Sequence, residues 1–317
     1  MRQKNFKTLD EQIEILRNKG MTINDETFAK KVLLRENYFF LNGYRHLFME
    51  EGDKHFKKGT TFEEMYSLFL FDRSFRNVLF KYILVIENNL KSIISYQLSK
   101  KYGYKESDYL KPKNFTSDQS KQAQLNDLIR KMKRQIRVNG SQHSATLHYV
   151  SNYGYIPLWI LVKVLSFGIV SELYSVLKSD DKKEIANIYE IESEMLTVYL
   201  PILANYRNLC AHEDILYETR TQKVIDDTIY HQLLHIPKTF DEYAKGKNDV
   251  FALIIIMKQM LRYEDFKNMT IEIDNVIETL NYNLKTISIE KVLDRTGFPL
   301  NWKELANIER SKEYESN

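Results

Sequence analysis

Residues 61–101 carry the longest continuous helical signal in the sequence. Phe62, Met65, Tyr66 and Phe69, then Leu79, Tyr82, Ile83, Ile86, Leu90, Ile93 and Ile94, recur at the three- and four-residue spacing of a helix's apolar face. Thr61 and Glu64 stand at the spacing of a capping box. The stretch reads as one long helix or as two in series. Ten Gly and five Pro among 317 residues also favour long helices over a turn-rich β fold. The expected fold class is all-α.

The rest of the chain parses the same way. Residues 8–20 predict a short helix capped by Thr8, with Glu11 answering as a capping box, Ile13 and Leu16 as its apolar edge and Gly20 as its stop. A second helix is expected from Asp25 to about Asn37. Residues 38–48 are aromatic and broken by Gly43, a packed connection in the plain reading and a base-stacking platform in the alternative. Residues 156–177 predict one apolar helix with Pro157 near its first turn. Asp180 and Asp181 begin the next, through Ile185, Ile188 and Tyr189. From Glu192 to about Leu209 the pattern runs on through Leu196, Tyr199, Leu200 and Leu203, and Pro201 within it is expected to kink or restart the helix. Residues 247–261 and 271–294 look helical. Phe298, Pro299, Leu300, Asn301 and Trp302 then make a turn into a last short helix, and 309–317 is expected to fray.

Bulk properties narrow the class. At 43% hydrophobic and 28% charged, the composition is that of a globular protein. A net charge of +3 is nearly neutral, so a surface for nucleic acid has to be local. One Cys excludes an intrachain disulfide and suits a reducing compartment. Met1, Arg2, Gln3, Lys4 and Asn5 lead into no apolar signal region. The longest nearly apolar run, 156–170, is too short to span a bilayer and holds Lys163, Ser166 and Gly168. The expectation is a cytoplasmic protein with no membrane partner. His231 and His235 share a zinc-like spacing, but no Glu lies between them and no third ligand is apparent, so no metal site is assigned.

Residues 100–137 form the clearest charge run. Lys100, Lys101, Lys105, Lys111, Lys113, Lys121, Arg130, Lys131, Lys133, Arg134 and Arg137 face only Glu106, Asp108, Asp118 and Asp127, and Tyr102, Tyr104 and Tyr109 are interleaved. Such a run is either a set of solvated helix faces or a surface for an RNA backbone. In the second reading Lys121, Arg130, Lys131, Lys133, Arg134 and Arg137 are the candidate contacts.

The densest concentration of chemically active groups is Asn205-Tyr206-Arg207-Asn208-Leu209-Cys210-Ala211-His212-Glu213. Arg207 is a permanent cation whose planar fork suits phosphate. His212 is the side-chain type that exchanges a proton near neutral pH. The pair forms a minimal kit for cutting a phosphodiester beside a 2′-hydroxyl: imidazole takes the 2′-OH proton, and arginine holds the charge that grows on the phosphoryl oxygens. No metal or other cofactor is needed, because the nucleophile is built into RNA. Arg207 and His212 lie about 140° apart on an ideal helix. The helix must therefore start or bend inside the motif, or each residue must pair with groups from another element or subunit. The plain alternative is a surface arginine and a capping histidine. Glu87, on the apolar run 82–86, is either a solvent-edge carboxylate or a partner for Arg207. Cys210, between Leu209 and Ala211, reads as a small core residue. Arg137 and His143 also match Arg-x5-His, but across the loop of Asn139, Gly140 and Ser141, and read as a chance match.

Arg207–His212 resembles the Arg-x(4–6)-His signature of HEPN ribonucleases, including the Asn after the Arg, here Asn208. Tyr155-Ile156-Pro157-Leu158-Trp159 through Leu165-Ser166-Phe167-Gly168 is similar to the "PLW…EVLSFG" block of Abi-type abortive-infection proteins of the AbiD/AbiF group, with Lys163 where Glu is expected. Gly20-Met21-Thr22-Ile23-Asn24-Asp25 through Leu41-Asn42-Gly43-Tyr44 is similar to the same family's opening. The resemblance covers roughly residues 5–225. It implies a HEPN-like helical bundle with N- and C-terminal helical extensions: an N-terminal segment over 1–58, the HEPN-like domain over 59–237 with a basic insertion near 100–150, and a C-terminal segment over 238–317. It also implies an endoribonuclease of anti-phage defence, with Arg207, Asn208 and His212 catalytic. RNA is then the substrate, a cognate non-coding RNA is a possible partner, and a homodimer pairs two motifs. Two other readings stay open: an RNA-binding protein whose cleavage is conditional or absent, and a helical adaptor, which leaves the Arg207–His212 constellation unexplained.

Overall fold

The structure, a computed structural model, describes residues 5–140 and 142–309 and is all-α. It opens with α1 (Leu9–Asn18) and α2 (Glu26–Glu36). Thr8 and Glu11 close the capping box reciprocally, and Asp25 accepts the Phe28 N–H at 2.8 Å. The aromatic connection becomes α3 (Tyr38–Asn42) and a 3-10 turn, Gly43–Phe48. Tyr44, Leu47 and Phe48 are buried there, so this part packs, while Phe39 and Phe40 are exposed.

The signal over 61–101 resolves into one helix of 41 residues, α4 (Phe62–Tyr102). Thr61 caps it as expected, accepting the Glu64 N–H at 3.1 Å. The Glu64 carboxylate does not return to the cap. It is buried and accepts the N–H groups of Lys285 and Thr286 and the Thr286 hydroxyl, each at 2.7 Å. Three donors on a distant turn outcompete one local N–H.

Seven helices follow: α5 (Glu106–Tyr109), α6 (Gln122–Asn139), α7 (Ser144–Tyr153), α8 (Leu158–Val164), α9 (Phe167–Ser175), α10 (Ser179–Asn187) and α11 (Ser193–Ala211). The apolar run 156–177 is not one helix. Leu165 and Ser166 are extended, and the Ser166 hydroxyl accepts the Ile169 N–H, so a new helix begins at Phe167. Pro157 sits one residue before α8, as its cap. Pro201 does not restart α11, which runs on through it. The ring removes one helical donor, and packing against α4 and α9 holds the helix together.

The described residues end with α12 (Ile229–Leu233), a two-residue antiparallel pair (Lys238–Thr239 with Glu242–Tyr243), α13 (Val250–Met260), α14 (Tyr263–Asn283), α15 (Ile289–Thr296) and a 3-10 turn, Trp302–Ala306. The helix expected over 271–294 is two, broken at 284–288, where Glu64 holds the turn. Of the segment expected to fray, the part beyond Glu309 lies outside the described residues.

One cluster of buried side chains runs from Ile13 to Leu305. Its axis is α4, along which α8, α11 and α14 pack. Glu272 of α14 accepts from Lys81 at 2.6 Å and from the Tyr82 hydroxyl at 2.7 Å. α13 is buried along its length apart from half-buried Gln259. Among the described residues, no helix is long and apolar enough to cross a membrane.

Candidate functional site

α11 ends inside the motif. Ala211 is its last residue and His212 its cap, with the His212 N–H still bonded to the Asn208 carbonyl at 3.0 Å. Glu213 follows at φ 57°, a left-handed conformation that turns the chain sharply away from the helix axis. The helix ends only at His212, whose N–H still bonds at helical spacing, so His212 keeps its offset of about 140° from Arg207. Asn205, Asn208 and His212 are exposed and Arg207 is half-buried. The His212 ring makes no hydrogen bond among the described residues and stays open to solvent.

Arg207 is held from within. Its Nε lies 3.5 Å from Glu87 Oε2, and its guanidinium carbon sits 5.7 Å from the centre of the Phe80 ring. Glu87 is buried, not at a solvent edge, and its Oε1 accepts from Lys91 Nζ at 2.6 Å. Phe80, Glu87 and Lys91 all belong to α4, where residues three and four apart share a face. The carboxylate fixes the inner edge of the guanidinium, and its two terminal nitrogens remain for an anion.

A second ionic cluster anchors the chain after His212. Asp72, fully buried on α4, accepts from Arg76, from the Tyr44 hydroxyl at 2.7 Å, and from the N–H groups of Leu216 and Tyr217 at 3.0 and 2.8 Å. Arg76 also donates to the Asp214 carbonyl at 3.2 Å. Burial pushes the Asp72 carboxyl up, against the pull of the Arg76 guanidinium and its other donors. Gly43 lets the connection approach this turn: a Cβ there would stand 2.5 Å from Ile215 Cδ1. Tyr44 stacks on Tyr217 at 5.8 Å. The Gly43–Tyr44 end of the opening block and the turn after the Arg207–His212 motif therefore pack together. Sequence reading singled out neither Asp72 nor Arg76. Their signal was present: two charges four apart on the face that Phe69, Leu79 and Ile83 make apolar. Cys210 lies beside them in the core, its thiol pushed up to about 12 by burial, and is a poor nucleophile.

The six basic candidates divide. Arg130, Lys133, Arg134 and Arg137 are exposed on α6, and of these only Arg130 has an ion pair among the described residues, with Asp127. Lys131 is paired with Glu172 at 2.8 Å and Asp127 at 3.0 Å, and Lys121 donates to the Ser175 carbonyl at 3.3 Å. Tyr102 and Tyr109 are structural: their hydroxyls bond Asp181 and the Ile156 carbonyl. Of the interleaved tyrosines, Tyr104 alone is exposed.

His231 is a core residue. Its Nδ1 accepts the Thr228 N–H at 3.0 Å and its Nε2 faces the Gly246 carbonyl at 2.9 Å, so both nitrogens are engaged, and burial lowers its pKa. Among the described residues, no group of three or more His, Cys, Asp or Glu is placed to hold a metal ion.

The family model described as Abi-like protein matches residues 31–218, a span that runs from α2 through the turn after the motif. Neither a curated protein nor a solved structure matches the chain.

Proposed function

The chain belongs to the Abi-like protein family, and from that premise we propose that it is a metal-independent endoribonuclease of an abortive-infection system. The observation that carries this reading is the end of α11, where an open imidazole stands at the cap and an anchored guanidinium five residues before it. His212 takes the 2′-OH proton, the 2′-oxygen attacks phosphorus, and the bond to the 5′-oxygen breaks. That oxygen leaves with a proton from a second imidazole or from water. Arg207 stabilises the charge on the phosphoryl oxygens, and Asn208 positions the motif or the scissile phosphate by hydrogen bonds. Products should carry 2′,3′-cyclic phosphate and 5′-OH ends, and EDTA should leave the rate unchanged. His212→Ala should lower cleavage by about 10²–10⁴. Metal-dependent cleavage to 5′-phosphate ends rules the mechanism out.

Each chain supplies one such histidine, whereas acid and base steps are best served by two groups. The reading therefore includes a twofold homodimer that brings two motifs together. Mixing Arg207→Ala with His212→Ala protein should restore part of the activity that each lacks. A fully active monomer in light scattering overturns this arrangement.

A second reading rests on the exposed basic stripe of α6: a protein that holds a cognate RNA, with cleavage conditional or absent. Purified wild-type protein that binds RNA yet leaves it intact without an activator favours this reading.

A further inference from the structure

Residues 128–171 contain no Asp or Glu and six Lys or Arg. In a chain with a net charge of only +3, this makes one region locally cationic. It spans most of α6, then α7, α8 and the start of α9. A ladder of aromatic rings joins this region to Tyr104, in the turn before α5. Trp159 neighbours Tyr104 at 5.7 Å, Tyr104 neighbours Tyr155 at 5.7 Å, Tyr155 neighbours Tyr153 at 6.3 Å, and Tyr153 neighbours Tyr149 at 5.4 Å. His148 closes the row, 6.0 Å from Tyr153. Trp159, Tyr104 and Tyr153 are 41%, 41% and 57% exposed. Lys105 stands over the Tyr155 ring at 5.0 Å.

The ladder is built rather than incidental. Gly154, left-handed at φ 74°, closes α7 and turns the chain between Tyr153 and Tyr155. Ile156, two residues on, is pinned from α5: its N–H donates to Glu106, and its carbonyl accepts from the Tyr109 hydroxyl at 2.9 Å. The carboxylates next to Tyr104 in sequence are engaged: Glu106 accepts that backbone N–H, and Asp108 pairs with Lys111 at 3.2 Å. Exposed rings on a fixed backbone lose little freedom when a flat partner stacks on them. α6, which packs against α7 and α8, brings the stripe of Arg130, Lys133, Arg134 and Arg137 to the same part of the molecule.

Flat, cation-flanked rings without free carboxylates match one chemistry, a polyanion with accessible π faces. Bases in a duplex hide those faces. We infer that this ladder is a stacking platform for the unpaired bases of single-stranded RNA. The inference rests on the RNA reading above and specifies the form of RNA bound. The platform begins just beyond the C-terminal end of α4, about 22 Å along the helix axis from Glu87. It holds the strand and takes no part in the chemical step, so its loss raises KM and leaves kcat in place.

The chain supplies its own reporter. Of its two tryptophans, Trp302 is buried and Trp159 stands on the ladder. In full-length protein carrying His212→Ala, which cannot cut the probe, an oligouridine strand should quench Trp159 emission saturably. An RNA duplex of the same length should leave it nearly unchanged. Tyr104→Ala and Tyr153→Ala should each weaken binding of the strand about tenfold. Tyr104→Phe and Tyr153→Phe, which keep the π face, should bind as the parent does. Both sites are exposed rings, so a matched thermal melt confirms that folding is intact in all four variants. Equal binding of strand and duplex overturns the platform, as does unchanged binding by both alanine variants. Absence of RNA binding also overturns it and leaves the face to a protein partner. His212-dependent cleavage by otherwise unaltered protein is scored separately, so failure of the platform and failure of the nuclease are distinguishable.

Discussion

α4 carries two carboxylates that serve the same end of α11 in opposite ways. Asp72 is sealed: its oxygens accept from Arg76, Tyr44 and two backbone N–H groups, and the Asp72–Arg76 pair is neutral. Glu87 is left partly open. It bonds Lys91, while its other oxygen and Arg207 Nε face each other at 3.5 Å with no hydrogen bond among the described residues. One carboxylate with two cations leaves a formal surplus of one positive charge, and Arg207 carries it to the surface. A satisfied buried network rigidifies, whereas a cation with donors to spare awaits an anion. The first cluster fixes the chain that follows His212, and the second presents Arg207.

The sealed cluster should show the largest effect. Asp72→Ala leaves the Arg76 guanidinium buried without its counter-charge and strips two backbone donors of their acceptor. Breaking a pair of this kind costs about 3–5 kcal/mol, read as a lower denaturation midpoint. Replacing the pair together, Asp72→Leu with Arg76→Met, should return part of that loss, because the unpaired charge is then gone. A single variant as stable as the parent would make the network dispensable and erase the contrast with Glu87.

The sequence made the local half of this architecture readable. The caps at Thr8, Asp25 and Thr61 need only a backbone N–H three residues on, and all three form. The Arg207–His212 angle asked for a helix that starts or bends inside the motif, or for partners from another element or subunit; α11 instead runs on to Ala211, and Arg207 finds its partner in Glu87 of α4. What was illegible depends on residues far apart. Glu64 looked like half of a capping box until a turn more than two hundred residues on offered three donors. The breaks at Ser166 and at 284–288 lie in apolar periodic runs, where one hydroxyl or one distant carboxylate ends the helix. The aromatic ladder draws Tyr104 from one segment and Tyr149, Tyr153, Tyr155 and Trp159 from another, so the interleaved tyrosines alone misdirect: Tyr102 and Tyr109 are engaged in structural bonds.

The open cluster sharpens the comparison from the other side. Glu87→Gln keeps the shape of the side chain and removes its charge, leaving Lys91 and Arg207 as unbalanced cations around an amide. Stability should fall by less than in Asp72→Ala, since Arg207 reaches water. Cleavage should fall by up to about 10²-fold, because a guanidinium displaced by an ångström no longer meets the transition state. The informative readout is the ratio of the two losses. If Glu87→Gln protein unfolds as readily as Asp72→Ala protein yet cleaves normally, Glu87 is a second structural anchor and not a positioning residue for Arg207.

The same division between sealed and open charge recurs on α6, with the smallest expected effect. Lys131 is neutralised within the chain by Glu172 and Asp127, whereas Lys133 and Arg134 have no ion pair among the described residues. Every phosphate contact on a single strand releases counterions and adds about 0.7 to the slope of log affinity against log salt. Lys131→Ala should therefore leave that slope where it is, and Lys133→Ala with Arg134→Ala should flatten it by about 1.4. Stability should hardly move in either variant, because exposed charges contribute little. Fluorescence titrations of a single-stranded RNA at several salt concentrations measure both slopes. Equal flattening by the Lys131 variant would mean that RNA draws Lys131 out of its internal pairs, and a sealed charge would then be no less available than an open one. No flattening by the double variant would make the α6 stripe a solvated face and move the RNA backbone elsewhere on the protein.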